Sequence, residues 1–541
     1  MQLTASAHVD TFCRDNLPSQ DAWPEFLFDL PELHYPERLN CGTELLDIPA
    51  SRLGQDRPCL LSPGTDPWTY GDLLARANQV ARVLVEELGL VPGNRVLLRG
   101  PNNPWLVACW FGVLKAGGVV VTTMPLLRRG ELSTVHEIAR IDVALCDSRF
   151  TDDLRAADLG DAPIVEYGGV DPADLVGRCT SYDGIFEDVD TAADDVALLA
   201  FTSGTTGRPK ATMHFHRDVL ANADTFSRHV LRPTADDVFT GTPPLAFTFG
   251  LGGLVVFPLR VGAATLLIEK ATPGELAALI ESNAVTICFT APTAYRAMLS
   301  GGHARRLGSL RRAVSAGEHL PSSTWQQFKD ATGVSIIDGI GSTELLHIFI
   351  ASADDDIRPG STGRPVPGFV AAVVDREGVA LPAGEVGRLA VIGPTGCRYL
   401  ADASQSAYVQ HGWNITGDTF LRDEDGYFWY QARSDDMIIS SGYNIAGPEV
   451  EEALLAHPAV SECAVVGVPD EARGSVVKAV VVAADGYDVG ELLALELQDF
   501  VKRQIAPYKY PRVVEFATEL PRTSTGKLQR FRLRTDARNS T

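Results

Sequence analysis

The chain has 541 residues and a formal net charge of −22, from 47 Lys+Arg against 69 Asp+Glu. Its content, 45% hydrophobic and 21% charged, is that of a globular chain and excludes a disordered one. So acidic a molecule repels phosphate polymers, which excludes nucleic acid and anionic membrane as partners; a small anion still binds wherever backbone donors gather around it.

Residues 1–47 carry Trp23, Phe26, Phe28 and Tyr35 and read as a helix and an extended arm lying on a larger body. Their start, MQLTASAHVDTFCRDN, has neither a basic cluster nor an apolar run, so no secretion signal is expected. Apolar residues recur at helical spacing from Leu73 to Leu88. Strand-like runs at Arg95–Leu98 and Val119–Thr122 then flank a buried helix over 105–115. The alternation continues with strands Val196–Phe201, Thr286–Thr290, Arg312–Ser315 and Val334–Ile337, and helices over 215–229, 274–283, 292–299 and 322–332. This order predicts βαβ units and parallel sheets. The most apolar stretch, Leu251–Ile268, is broken by Pro258 and Arg260 and is a poor membrane span.

Beyond about residue 360 glycine and proline become frequent, and alternating strands over 369–375 and 387–393 predict a β-rich subdomain. A second change follows Arg433: strands over 436–440, 462–467 and 476–483 mix with helices over 447–456 and 489–505. The predicted class is therefore α/β. A large N-terminal domain over 1–432 holds two αβ sheet subdomains and the β-rich one, and a small α+β domain covers 433–541. The nine cysteines (Cys13, Cys41, Cys59, Cys109, Cys146, Cys179, Cys288, Cys397, Cys463) are odd in number and scattered singly. That spacing suits no zinc or redox motif and predicts reduced thiols in a cytoplasmic protein.

The strongest local signal is FTSGTTGRPK over 201–210. Gly204 and Gly207 let the backbone wrap an anion, the hydroxyls of Thr202, Ser203, Thr205 and Thr206 donate to it, and Lys210 adds charge. Pro209 stands where a Walker A loop needs its glycine, so a different phosphate loop is implied. This decapeptide resembles the phosphate loop of the adenylate-forming superfamily, which joins acyl- and aryl-CoA ligases, peptide-synthetase adenylation domains and firefly-type luciferases. Five further segments resemble that superfamily's motifs in order: SAGEHLP (315–321), DGIGSTE (338–344), ITGD (415–418), RSDDMIISSGYNI (433–445) and PRTSTGK (521–527). Together they span roughly 50–541.

The resemblance implies the fold just described, with a mobile C-terminal domain, and ATP, Mg²⁺ and coenzyme A as co-reactants of a small aromatic acid, in a monomer or homodimer. It implies that Gly317, Glu318, Asp338, Gly339, Ile340, Gly341, Ser342 and Thr343 surround adenine and the phosphates. It makes Asp418 and Arg433 the ribose contacts and Glu344 the magnesium ligand, a carboxylate suited to a hard cation. Lys527 would steady charge in the pentavalent transition state together with Thr343, and Asp435 would be the hinge. Ser440, Ser441, Gly442 and Tyr443 would border the thiol tunnel. Ile340 departs from the aromatic residue usual at that position, a change shared with benzoate-type ligases, so adenine would rest on an aliphatic face or gain its stacking elsewhere.

The acid pocket falls on PPLAFTFGLGG (243–253), where Val255 replaces the last glycine of a dinucleotide fingerprint. Phe247, Thr248, Phe249 and Gly250 would form a narrow slot for a ring, completed by Ala316, Gly317, Gly341, His347 and Ile348. The arm over 13–40 resembles the start of 2-aminobenzoate-CoA ligases. An ortho-substituted benzoate is thus expected, with amino or hydroxyl left open. Two other readings of the same fold are an adenylation enzyme loading a carrier protein and a luciferase-like monooxygenase. A non-catalytic nucleotide sensor is disfavoured by the retention of Lys527 and Glu344.

Overall fold

A computed structural model describes residues 3–169, 171–202, 209–433, 437–440, 443–470, 474–505, 507–522 and 528–535. The fold grows from two sheets built by the predicted alternation. The first has six strands in the order Ile164–Tyr167, Val143–Asp147, Arg95–Arg99, Val119–Thr123, Val196–Thr202, Lys210–Phe215. Its first five strands run parallel, and the last turns back antiparallel. The central strands are buried along their whole length, as a parallel sheet covered on both faces requires. Helix Pro104–Lys115 is buried from Leu106 onward, and helix Tyr70–Arg82 packs on it. Lys115 ends that helix with no exposed surface and is neutralised by Asp47 at 2.7 Å and Asp188 at 2.8 Å, since a buried charge survives only when paired.

The second sheet has nine strands, with Val238–Gly241, Ile287–Thr290, Arg312–Ser315 and Ile336–Gly341 at its parallel centre. Ile336–Gly341 has an antiparallel partner, Ile348–Ala351, and the DGIGSTE segment begins in the first strand and ends in the short bend between them. The expected β-rich subdomain is a five-stranded antiparallel sheet, including Val386–Ile392, Trp413–Arg422 and Phe428–Arg433. After Arg433 come a two-stranded pair, Ile438–Ser440 with Tyr443–Ile445, and a three-stranded sheet of Val460–Asp470, Gly474–Ala483 and Val513–Phe516. Helices Gly447–Leu455 and Glu491–Gln504 bury their apolar faces with it in a core of their own.

The structure alters two predicted helices in kind: the one expected over Leu73–Leu88 is α-helical to Arg82 and π-helical over Val83–Glu87. The helix expected over 215–229 is α-helical only over His216–Asn222 and widens to a π-helical turn over Ala223–Leu231. The N-terminal arm does lie on the body: Trp23 stands 6.1 Å from Phe215, and Phe26 bridges to Gly393. All nine cysteines are free, and only Cys463 is not fully buried. No helix among the described residues is long and apolar enough to cross a membrane.

Candidate active site

Thr202 and Lys210 are register partners across the antiparallel pair that ends the six-stranded sheet. The phosphate-type segment is therefore the connection between two strands. Ser203, Gly204, Thr205, Thr206 and Gly207 lie outside the described residues, as do Asp435, Ser441, Gly442 and Lys527. Lys210 extends its ammonium over the ring of Tyr399, 5.3 Å from the centroid.

The segment from Asp338 to Ile348 runs out of one strand and back along its neighbour, with Gly341 opposite Ile348. A side chain at Gly341 would meet the His347 carbonyl at 2.5 Å, so the close approach demands glycine. The bend between them is held by other elements. His214 Nε2 lies 2.8 Å from the Thr343 carbonyl. The Thr395 hydroxyl donates to the Leu345 carbonyl at 2.8 Å. The Ser342 and Tyr408 hydroxyls are 3.1 Å apart. Leu346 adopts φ +73° inside this turn, a left-handed conformation that a bulky side chain rarely takes. That strained, multiply tethered turn is what aims Glu344.

Glu344 is 8% exposed, and Tyr399 O–H donates to its Oε1 at 2.6 Å. Burial, then the Glu344 carboxylate, pushes the Tyr399 phenol far above its ordinary range, so it remains a donor. No group of three His, Cys, Asp or Glu side chains converges among the described residues. A lone carboxylate with one committed oxygen fits magnesium that arrives on phosphates, because Mg²⁺ is commonly bound through one or two carboxylates plus substrate oxygens.

Around it, Asp338 stands in register with Ser315. Burial raises its carboxyl well above the usual range, with the Gly339 N–H among the opposing contacts, and one carboxyl oxygen has no partner. Ala316 is half-buried, Gly317 is in the left-handed region at φ +88°, and Ile340 packs half-buried on the main core. Glu318 is also raised by burial, against the Arg522 guanidinium 3.1 Å away. Asp418 and Arg433 sit opposite each other in the β-rich sheet, so the two proposed ribose contacts share one register position. Ser440 is buried and pairs with Tyr443.

The acid-pocket segment forms a short helix, Thr248–Leu251, that opens into a π-helical turn over Gly252–Val256. Phe247 precedes the helix; Phe247, Thr248 and Phe249 are half-buried, and Gly250 is buried. Ile348 is buried against the Gly339 backbone. His347 is enclosed by Phe257 at 4.6 Å, Phe226 at 5.5 Å, Phe249 at 5.6 Å and Phe289 at 6.3 Å. A side chain on Gly252 would collide with the imidazole at 2.3 Å, so the glycine makes room for it. Burial lowers His347 to about 3, opposed by a contact with the Phe249 backbone, and no side chain among the described residues hydrogen-bonds either ring nitrogen. The imidazole is thus a neutral donor and acceptor within an aromatic wall.

Sequence reasoning missed Tyr399, Tyr408, Phe226, Phe257, Phe289 and the Arg522–Glu318 pair. The five aromatic residues lie in none of the quoted motifs, and Arg522 and Glu318, each inside one, are joined only by tertiary contact.

Comparison with known proteins places the chain in a family. Residues 48–399 match the family described as AMP-binding enzyme, and 449–527 match its C-terminal domain. The chain is 36% identical to a benzoate–CoA ligase of Thauera aromatica, over 93% of its own length and 97% of the relative's. It is 32% identical to a 3-hydroxybenzoate–CoA ligase of Aromatoleum sp. (strain CIB), over 92% and 96%. Its fold superposes with a TM-score of 0.88 on the anthranilate CoA ligase AuaEII in complex with anthranoyl-AMP, at 34% identity, over 94% of this chain and 99% of that one.

Proposed function

We propose, from the premise that the chain belongs to the AMP-binding enzyme family, that it joins an ortho-substituted benzoate to coenzyme A. As an AMP-forming acid–thiol ligase it works in two steps. The carboxylate attacks the α-phosphorus of ATP, forming aryl-AMP and releasing pyrophosphate. The thiol of coenzyme A then attacks the acyl carbon, and AMP leaves. In this reading Lys210 and the phosphate segment hold the triphosphate, Asp418 and Arg433 hold the ribose, and Asp338 accepts from the adenine amine. Glu344 would hold magnesium, which when bound offsets charge on the phosphate oxygens. Lys527 would steady the transferring phosphoryl group.

The observation that carries the ortho substituent is His347. A buried polar group normally has a partner, yet this imidazole receives no side-chain hydrogen bond among the described residues, only a contact with the Phe249 backbone. Thr248 stands half-buried on the helix that packs against it. An amine or hydroxyl beside the carboxylate supplies a partner that unsubstituted benzoate lacks. The likeness to an anthranilate ligase supports the same choice.

The test is kcat/KM for benzoate, salicylate and 2-aminobenzoate, read as pyrophosphate release with and without coenzyme A. Leaving a buried polar group unpaired costs about 1–3 kcal/mol, roughly 5- to 150-fold in specificity. Wild type is therefore expected to prefer one ortho-substituted acid by that margin. Thr248→Ala should lower kcat/KM for that acid and leave benzoate nearly unchanged. A uniform loss on all three acids would show Thr248 to be scaffold. AMP release that ignores coenzyme A would move the acceptor to a carrier-protein thiol.

A further inference from the structure

Tyr399 is 2% exposed and stands on a segment fixed from every side. It bridges to Thr212, on the strand that leaves the phosphate-type loop. Its neighbours are pinned to that strand, Met213 N–H donating to the Arg398 carbonyl at 2.8 Å and Leu400 N–H to the Ala211 carbonyl at 2.9 Å. Its own N–H donates to the Gln405 side-chain oxygen at 2.9 Å, and Arg398 beside it is locked to Asp218 at 2.7 Å. The phenol therefore has one orientation. Its hydroxyl meets Glu344 Oε1 at 2.6 Å, and its face carries Lys210 at 5.3 Å. Among the described residues Glu344 has no other hydrogen bond.

We infer that Tyr399 is a positioning residue: it occupies one oxygen of Glu344, presents the other to magnesium, and keeps that oxygen in register with the Lys210 cation. The inference rests on the reading that Glu344 meets the magnesium of ATP. Magnesium demands near-octahedral ligands at about 2.0–2.1 Å, whereas a glutamate carboxylate on its own swings freely. Partners behind a ligand commonly change metal affinity about 10- to 100-fold. A single buried phenol touching both the ligand and the phosphate-side lysine is suited to that task.

The experiment measures equilibrium binding of α,β-methylene-ATP by calorimetry, once with Mg²⁺ and once with EDTA. In Tyr399→Phe the gain in affinity that Mg²⁺ brings should shrink about 10-fold, while the EDTA affinity stays within about twofold because the ring under Lys210 remains. Half-maximal pyrophosphate release should need correspondingly more free Mg²⁺, with the KM for the acid unmoved. A merely structural role would lower both affinities together. Glu344→Gln should lose the same gain, and adding Tyr399→Phe to it should cost nothing further. If Glu344→Gln loses the gain and Tyr399→Phe keeps it, the positioning role is overturned. If Glu344→Gln also keeps it, the metal reading beneath it falls as well. Should Tyr399→Phe fail to fold, Glu344→Asp keeps the charge and draws the carboxylate away from the phenol; a wild-type Mg²⁺ gain in that variant overturns the inference.

Discussion

Three buried histidines, His214, His216 and His347, tie the stability of the large domain to acid. Burial lowers His216 and His347 to about 3 and His214 to about 4, from an ordinary 6.5. All three are neutral in the fold at pH 5, whereas the unfolded chain takes up their protons below about 6.5. Stability is therefore complete above that pH and is lost as pH falls toward the folded values, by about 2 kcal/mol per histidine at pH 5. Urea unfolding at pH 7 and pH 5 checks this. His347→Phe, which suits the surrounding rings, should lose about 2 kcal/mol less than wild type between the two pH values; an identical loss would mean that His347 is already protonated in the fold. At this scale the sequence was legible wherever chemistry is local. Glu344 stands out because DGIGSTE resembles a contiguous motif of the superfamily. Tyr399 does not, because its partner lies 55 residues away and no spacing rule joins them.

At the scale of elements, helices and strands followed from periodicity, since burial of one face fixes the 3.6- and 2-residue repeats. The π-helical turns at Ala223–Leu231 and Gly252–Val256 did not. Sequence periodicity does not distinguish a π-helical turn from an ordinary one, and the close packing of Gly252 under His347 is visible only in the structure. The PRTSTGK segment is closed by a bridge between Arg522 and Leu528. Arg522 reaches Glu318 at 3.1 Å and Glu462 at 3.1 Å, and Glu462 reaches Arg296 at 3.3 Å. These pairs join the small domain to the adenine-side loop. They are partly exposed, so each is worth about 0–1 kcal/mol and is weakened by salt. Glu318→Gln is expected to slow aryl-AMP formation about 2- to 5-fold at low salt. It should leave thioester formation from supplied aryl-AMP unchanged, and 0.5 M KCl should shrink the difference. Equal slowing of both half-reactions would deny the pair any preference for one orientation of the domains.

At the scale of the whole molecule, the large sheets lie before Arg433, and the residues after it gather a smaller hydrophobic core of their own. The proposed reading includes a change in domain orientation between the half-reactions, which brings cationic charge to the α-phosphate in the first and frees that space for the thiol in the second. Composition cannot encode it, because both orientations would use the same sequence and the same cores. The C-terminal match ends at Lys527, and Arg522 ahead of it in the chain ties to Glu318. On the proposed reading Lys527 serves the first step alone. Lys527→Ala should reduce aryl-AMP formation, followed as pyrophosphate release, at least about 100-fold, the loss typical of removing one preorganised charge at a transition state. Conversion of supplied aryl-AMP and coenzyme A to thioester should fall less than about tenfold, since the acyl carbon no longer depends on that cation. Stopped-flow measurement of the two half-reactions on one preparation decides it. Equal losses would mean that the lysine stays at the α-phosphate through both steps, and that a single domain arrangement performs the whole reaction.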